Sequence, residues 1–513
     1  MILRITNVIR HPLFDLPAAQ RQERAALAGL PPCALMQRAG RSVAHLAGAL
    51  APHARHTWIA CGPGNNGGDG FEAATQLHRR GRPVSVTYGG DPGKLPADAR
   101  TAFDRARAAG VVFTHGPPTQ VTAQDLYIDA LFGLGVREGE IPHWVRASLS
   151  ALHQAPCRVL AIDLPSGLCA GTGQYLKGFA PESAAAPERH TLSLLGLKTG
   201  LFTGQGRDAA GTVWLDDLGV DSRWLATTLP TAWLGSRRDE KPRAHASHKG
   251  TFGDVSIIGG EGLRRRGMGM GGAALLAGSA ALHAGAGRVL VALLDSDASI
   301  AVDTSQPELM LRDPSALDLA AGAVVCGCGG GEAVRGLLPK VLHDARMLVL
   351  DADALNAIAE APAMQAMLRE RAGHRYITVL TPHPLEAGRL LGTGAATVQA
   401  DRIAAAIRLS ERYGCIVVVK GSGTVVAAPG QVPVVNPTGN GRLATAGTGD
   451  VLAGMIGARL AGVRADHPES GHAAFTAACD AVFHHGALAD AWPEHLPLTA
   501  GALARQSAGV GAR

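Results

Sequence analysis

Short apolar runs recur through the first half of the chain at Trp58–Cys61, Val84–Tyr88, Leu126–Ala130, Arg158–Ile162 and Thr191–Leu195. Polar, Ala-rich stretches such as Phe71–Arg80 and Ala97–Ala109 separate them. Runs this short, bounded by turn residues, read as buried strands, and the stretches between read as helices. The alternation predicts a parallel sheet covered on both faces. It breaks at Gly235–Ser247 (GSRRDEKPRAHAS), which is charged, contains Pro242 and lacks large apolar residues. A linker over 235–247 between domains 1–234 and 248–513 is therefore expected. The rhythm restarts with candidate strands Asp254–Ile258, Arg288–Leu293, Gly322–Cys326, Arg346–Leu350, Tyr376–Leu380, Cys415–Lys420 and Thr424–Ala427. Candidate helices there are Met270–Ala284, Ala400–Tyr413, Val451–Ala461 and Gly471–Ala489.

Composition narrows the picture. At 46% hydrophobic and 18% charged over 513 residues, the chain is globular and long enough for two or more cores. Aromatics are only 4% against 66 Gly, so the cores are aliphatic and tight turns or close ligand contacts are numerous. The net charge of +5 is mild. Its one dense cluster, Leu263–Gly267, reads as a solvated loop, so no nucleic-acid partner is expected. No run of about 18 apolar residues and no signal-like N-terminus is present, so no membrane partner is expected either. Eight Cys without a CxxC pair suit free thiols in a reducing cytoplasm. Cys326-Gly-Cys328 has no His neighbours and is not read as a zinc site.

In open parallel sheets, ligands bind at the carboxyl ends of strands. The strand ending at Cys61 runs into GPGNNGGDG (62–70) and a helix expected to start near Asp69. Bare backbone at a helix start can cradle a phosphate. The same residues also suit a tight turn capped by Asp69. Two further strand ends lead into DALFGLGVREG (129–139) and DLPSGLCAGTG (163–173). Together they bring Asn65, Asn66, Asp129, Asp163 and Ser166 to one edge, where amide, hydroxyl and carboxylate oxygens suit a hard cation.

These motifs, with LMQRAG (35–40), resemble the epimerase domain of the bifunctional nicotinamide-nucleotide hydrate repair enzymes over about residues 1–220. The resemblance implies a Rossmann-like three-layer αβα sandwich. It implies substrate contacts at Asn65, Asn66, Gly67, Gly68, Asp69, Gly133, Leu134, Gly135, Val136, Arg137, Glu138, Gly139 and Asp163. It also implies a potassium ion held by Asn66, Asp129 and Ser166, and makes Asp163, as the free carboxylate beside the substrate, the acid/base. Two segments depart from the family: Lys177–Arg189, and the helix near Ala19-Gln20-Arg21-Gln22, where the family carries an Ile-Glu pair. Neither is expected to touch the site.

In the second half NPTGNGRLATAGTGDVLAG (436–454) places Asp450 among glycines at the start of an apolar helix. A carboxylate there can accept a proton from an attacking hydroxyl while backbone N–H groups hold a phosphoryl. It can also merely cap the helix. KGSGT (420–424), TPHPLEAGRLL (381–391) and DADALN (351–356) each follow an apolar strand. His383 reads as a ligand or a structural residue, and DADALN as a magnesium or water site or a helix cap. Together these resemble the ribokinase-like α/β dehydratase domain of the same family, in its bacterial ADP-dependent form, over about 245–510. The resemblance implies hydrate contacts at Ala273, Gly331, His383 and Asp450. It implies adenine-nucleotide contacts at Lys420, Gly421, Ser422, Gly423, Thr424 and Gly449, with ADP as co-substrate and Mg2+ as cofactor. The expected partners are the small molecules NADH or NADPH hydrate and ADP, and a homo-oligomer such as a tetramer is expected. A small-molecule kinase using ATP and a nucleotide-sensing module are the competing readings.

Overall fold

The structure is a computed structural model. It describes all residues except 137, 183–187, 221–227, 239–243, 295–300, 464–466, 468–469 and 508–513, and the side chain of Arg265. Part of the expected linker, 239–243, and part of the divergent Lys177–Arg189 segment thus lie outside the described residues. The chain divides into two compact units, Met1–Thr6 with His11–Ala232, and Asn7–Arg10 with Trp233–Arg513.

The first unit is built on strands β1 (Leu3–Arg4), β3 (Thr57–Cys61), β4 (Val84–Thr87), β5 (Val112–Thr114), β6 (Leu126–Ala130), β7 (Arg158–Ile162), β8 (Arg189–Leu194) and β10 (Thr212–Asp216). They form an eight-stranded sheet in the order β1-β10-β8-β7-β6-β3-β4-β5. Every pairing is parallel except that of the short edge strand β1 with β10. A further short parallel pair, β2 (His11–Phe14) and β9 (Leu197–Lys198), aligns Phe14 with Lys198. Period-two alternation sends Ile59 and Cys61 of β3 into one apolar cluster and Trp58 and Ala60 into another, so both faces are covered. The covering helices include α1 (Leu16–Ala28), α2 (Ala34–Leu50), α3 (Asn65–Arg79), α4 (Ala97–Ala108) and α5 (His143–His153).

The second unit carries β11 (Ala232–Leu234), β12 (Asp254–Glu261), β13 (Arg288–Leu294), β14 (Met310–Leu311), β15 (Ala323–Cys326), β16 (Met347–Leu350), β17 (Ile377–Leu380), β18 (Ile416–Val419), β19 (Val425–Ala427) and β20 (Val434–Val435). Their order is β14-β13-β12-β15-β16-β17-β18-β19-β20-β11. From β14 to β18 the pairs are parallel, and β18-β19-β20 are antiparallel. Val255, Ile257, Val325, Val349, Val379 and Val418 share one core with helices Gly271–His283, Thr448–Ala461 and Ser470–Asp490. Burying each such side chain contributes about 1.5–3 kcal/mol. No helix among the described residues is long and apolar enough to cross a membrane.

Candidate active sites

In the first unit a cavity of about 590 Å3 opens at the carboxyl ends of β3, β6, β7 and β8. Helix α3 begins at Asn65, four residues before the expected Asp69, because Gly64 supplies the cap in extended conformation. Asp69 therefore lies inside the helix and caps nothing. A Cβ at Gly62 would sit 1.7 Å from the Leu131 carbonyl oxygen, and one at Gly67 1.9 Å from that of Gly62. Only glycine lets this turn press so closely against the chain leaving β6.

Asp129, at the end of β6, accepts from the Ser166 hydroxyl at 2.5 Å, the Ser166 N–H at 2.8 Å and the Leu131 N–H at 3.2 Å. Burial raises its carboxyl above the ordinary range, and the Ser166 contacts draw it back in part. The buried side-chain nitrogen of Asn66 has no hydrogen-bond partner, while its Oδ1 faces Gly133.

Asp163 follows β7 with φ +67°, a region that Asp tolerates better than most residues. It is not a free carboxylate, as the sequence suggested. Its Oδ1 accepts from the Leu194 N–H at 3.1 Å and from the buried Lys198 ammonium. Lys198 also donates to the Leu194 carbonyl at 2.8 Å and Ser193 Oγ at 3.3 Å, so its three protons are all engaged. Glu23 and Asp69 line the same cavity. Burial, then Asp163, raises Glu23, with Lys198 acting against both. Burial, then Asp163, Glu23 and Glu72, pushes Asp69 well up.

In the second unit Cys328, Asp351 and Asp450 bring a thiol and two carboxylates within 4.8 Å of one another. Asp351 stands at the N-cap position of helix Ala352–Glu360, yet its side chain caps nothing. Its Oδ1 instead accepts from Thr381 Oγ1 at 2.7 Å and Lys420 Nζ at 2.8 Å. Burial alone would lower the Lys420 ammonium, but Asp351 and Glu386 leave it above its ordinary value. A Cβ on Gly449 would lie 3.3 Å from that ammonium, which is thus held at the start of helix Thr448–Ala461.

Gly447 caps this helix in left-handed conformation, without a side-chain bond, so Asp450 in the first turn is not a cap. Burial, then the Asp351 charge, raises Asp450 to about 7, against the pull of Cys328 and Lys420. Buried His485 holds the Thr448 carbonyl at 3.0 Å. Burial lowers that imidazole to about 4, so it is neutral and donates through Nε2.

Gly331 has φ +53°, and its N–H donates to Asp353 at 2.8 Å. A Cβ there would fall 1.4 Å from Glu261 Oε2. The buried Glu261 carboxylate is answered by Arg266 at 2.7 Å and by the Glu332 N–H at 2.9 Å. His383 caps helix Pro384–Leu391: its Nδ1 accepts from Leu385 N–H at 3.1 Å, while its own N–H donates to Glu386 at 2.8 Å. Burial, then Lys420, lowers its imidazole. In the turn after β18, Gly421 N–H donates to Thr424 Oγ1 at 3.3 Å, Thr424 Oγ1 donates back to the Gly421 carbonyl at 3.0 Å, and Arg402 holds the Ser422 carbonyl.

Comparison with known proteins matches residues 32–200 to the YjeF-related protein N-terminus and residues 255–506 to the NAD(P)H-hydrate dehydratase family. The bifunctional NAD(P)H-hydrate repair enzyme Nnr of Escherichia coli (strain K12) is 37% identical over 505 residues, covering 94% of this chain and 90% of that protein. This chain belongs to the bifunctional NAD(P)H-hydrate repair enzymes. It joins an NAD(P)H-hydrate epimerase to an NAD(P)H-hydrate dehydratase. The ADP-dependent (S)-NAD(P)H-hydrate dehydratase of Neisseria meningitidis serogroup B is 43% identical over 274 residues, 52% of this chain and 86% of that protein. A solved ADP/ATP-dependent NAD(P)H-hydrate dehydratase from Bacillus subtilis, co-crystallised with ATP/Mg2+, is 30% identical, with a TM-score of 0.41 over 52% of this chain and 92% of that one.

Within the epimerase half, Asn65, Asn66, Asp69, Gly133, Leu134, Gly135, Val136 and Asp163 line the cavity. Gly67 and Gly68 are buried beneath it, and Glu138 and Gly139 are exposed and outside its lining. Arg137 lies outside the described residues. Helix α1, which the sequence placed away from the site, lines it through Ala19, Gln20, Gln22 and Glu23. Within the dehydratase half, Asp450, Lys420 and Gly449 converge, and His383 begins the helix whose Glu386 faces Lys420. Ala273, near the start of helix Gly271–His283, lies beside Gly329, two residues before Gly331.

Sequence reasoning missed Lys198, Glu23, Glu261, His485 and the thiol of Cys328, while Thr381 and Asp353 lie in motifs it quoted, TPHPLEAGRLL and DADALN, without being singled out. Lys198 left one trace, a cation in the otherwise apolar LLGLKTG at a strand end. Arg266 was read as part of a solvated loop, but it pairs with buried Glu261.

Proposed function

We propose that the cavity of the first unit and the Asp351, Lys420 and Asp450 cluster of the second divide the repair of hydrated NADH and NADPH as follows. Asn65, Asn66, Asp69, the 133–139 loop and Asp163 bind the dinucleotide hydrate, with Gly67 and Gly68 shaping the turn beneath. Asp163 handles a proton as the hydroxyl-bearing carbon of the ring inverts between R and S. Lys198 holds that carboxylate in place.

Potassium fits the group Asn66, Asp129 and Ser166. The Asn66 amide has an unpartnered buried nitrogen, and the exchange of its oxygen and nitrogen positions would present an oxygen donor there. Bound among these oxygens, the ion would supply positive charge beside the substrate's phosphates.

In the second unit Asp450 accepts the proton of the ring hydroxyl of the S hydrate while that oxygen attacks the terminal phosphate of ADP. Backbone N–H groups at the start of helix Thr448–Ala461 and the Lys420 ammonium face the transferring phosphoryl. Expulsion of phosphate from the ring then restores the dihydronicotinamide, leaving AMP and inorganic phosphate. Gly421, Ser422, Gly423, Thr424 and Gly449 surround the nucleotide, and Ala273, Gly331 and His383 surround the hydrate. No protein ligand is assigned to magnesium. Lys420 already neutralises Asp351, and Cys328 is a soft donor kept protonated by burial, so the ion would arrive on the phosphates of ADP.

The observation that carries this reading is Asp450, free of any capping role and raised toward neutrality beside Lys420. Recovery of dihydronicotinamide absorbance from pure S hydrate with ADP, with release of free phosphate, tests it. A stable phosphorylated alcohol as the product would make the second unit a kinase. The domain limits 1–234, 235–247 and 248–513, a homo-oligomer and a cytoplasmic setting belong to the same proposal. Eight free cysteines support the last.

A further inference from the structure

The epimerase cavity holds more carboxyls than one proton transfer needs. Glu23, Asp69, Asp98 and Asp163 line it, while Lys198 is the one cation among its described lining residues. Asp98 is engaged by Cys33, whose N–H donates to it at 3.2 Å. The Lys198 ammonium is committed to Asp163 Oδ1, the Leu194 carbonyl and Ser193. Among the described residues Asp163 Oδ2 accepts no hydrogen bond, and the Glu23 carboxyl makes none. Two carboxyls from different elements, α1 and the end of β7, thus reach one cavity. The Lys198 ammonium bonds to one of them, and the other makes no hydrogen bond among the described residues.

Leu35, Met36, Leu134, Leu194 and Leu218 give the same cavity an apolar part. Burial, then the Asp163 charge, raises the Glu23 carboxyl, with Lys198 acting against them. One of these carboxyls is bonded to a buried ammonium and the other makes no hydrogen bond among the described residues, and two carboxyls in such unlike surroundings are the usual arrangement of a base and an acid in one site.

We infer that Glu23 and Asp163 are a two-carboxyl pair that serves the two faces of the hydrated ring, Glu23 donating a proton to the departing hydroxyl and Asp163 accepting one from the water that returns. The inference rests on the reading of this cavity as the epimerase site. The hydroxyl-bearing carbon adjoins the ring nitrogen. The nitrogen lone pair forms a C=N bond as the C–O bond breaks, and the Glu23 proton goes to the leaving oxygen, which departs as water. A water on the other face then adds to the carbon. The C=N pair returns to nitrogen, and the proton of the added water goes to Asp163 Oδ2. The net change is inversion at carbon and one proton moved from Glu23 to Asp163. The swapped enzyme is competent for the reverse epimerisation, or resets through solvent.

The test uses the full chain with pure R hydrate in 18O-labelled water, following both inversion and label in the ring hydroxyl. Dehydratase turnover in the same preparation normalises for folded enzyme. Wild-type enzyme is expected to take up one labelled oxygen per inversion. Glu23→Gln is expected to lose about 100-fold or more of epimerase kcat, and Glu23→Asp, which keeps a donor, to recover part of it. Glu23→Gln within about threefold of wild type, with Asp163→Asn inactive, overturns the pairing and leaves the cavity as the epimerase site. Both variants active overturns the cavity reading itself. Inversion without label overturns the departure and return of water.

Discussion

The proposal that Asp450 is the dehydratase base predicts a defined pH dependence. Burial and the neighbouring Asp351 charge raise this carboxyl from an ordinary 3.8 to about 7. A general base works in its ionised form, so activity must rise with pH through that value and fall below it. With a midpoint at about 7, about 9% of the enzyme is ionised at pH 6 and about 91% at pH 8, a tenfold difference in kcat/KM. The assay is the initial rate of recovered dihydronicotinamide absorbance from S hydrate at saturating ADP across this range. ADP itself ionises nearby, so Asp450→Asn is the control. Its residual rate should be lower by about 100-fold or more and lack the part of the slope due to Asp450. A wild-type profile flat from pH 6 to 8, or a variant with the full wild-type slope, would refute the assignment of Asp450 as the base.

Other consequences are more local. Lys198→Met leaves the buried Asp163 carboxylate without its cation, which costs about 3–5 kcal/mol; urea unfolding should show the first unit weakened, with epimerase activity lost. Gly331→Val sets a side chain where Glu261 Oε2 lies and strains a φ of +53°. Dehydratase turnover should fall sharply, and epimerisation should remain. Lys420→Ala removes the ammonium between Asp351 and the helix start; the ADP KM should rise and kcat fall, and an unchanged KM would place the nucleotide elsewhere.

The strand pattern was legible because buried parallel strands are nearly continuous apolar runs. Leu126–Ala130 and Arg158–Ile162 match the expected bounds, and Asp254–Ile258 only runs on to Glu261. Helix starts were less legible. The expected start near Asp69 assumed a side-chain cap, whereas Gly64 and Gly447 cap their helices with backbone alone. The 436–440 part of the long second motif is scaffold: Asn436 donates to the Thr438 and Val482 carbonyls, and Asn440 to Ala489. Partners distant in the chain were invisible. Lys198 meets Asp163 across 35 positions, Lys420 meets Asp351 across 69, and Glu332 meets Glu261 across 71. Only the folded sheet edge brings them together. Helix α1 lacked the family's pattern near Gln20, which hid Glu23 one turn along.

Two acidic residues, Asp163 and Asp450, are held to run two separate reactions in one chain. Pure R and pure S hydrates, each incubated with ADP and either Asp163→Asn or Asp450→Asn enzyme, test this most directly. Asp163→Asn should dehydrate S hydrate at the wild-type rate and leave R hydrate to its uncatalysed drift. Asp450→Asn should equilibrate R and S and yield no dihydronicotinamide. Loss of both activities from either single substitution would contradict the account.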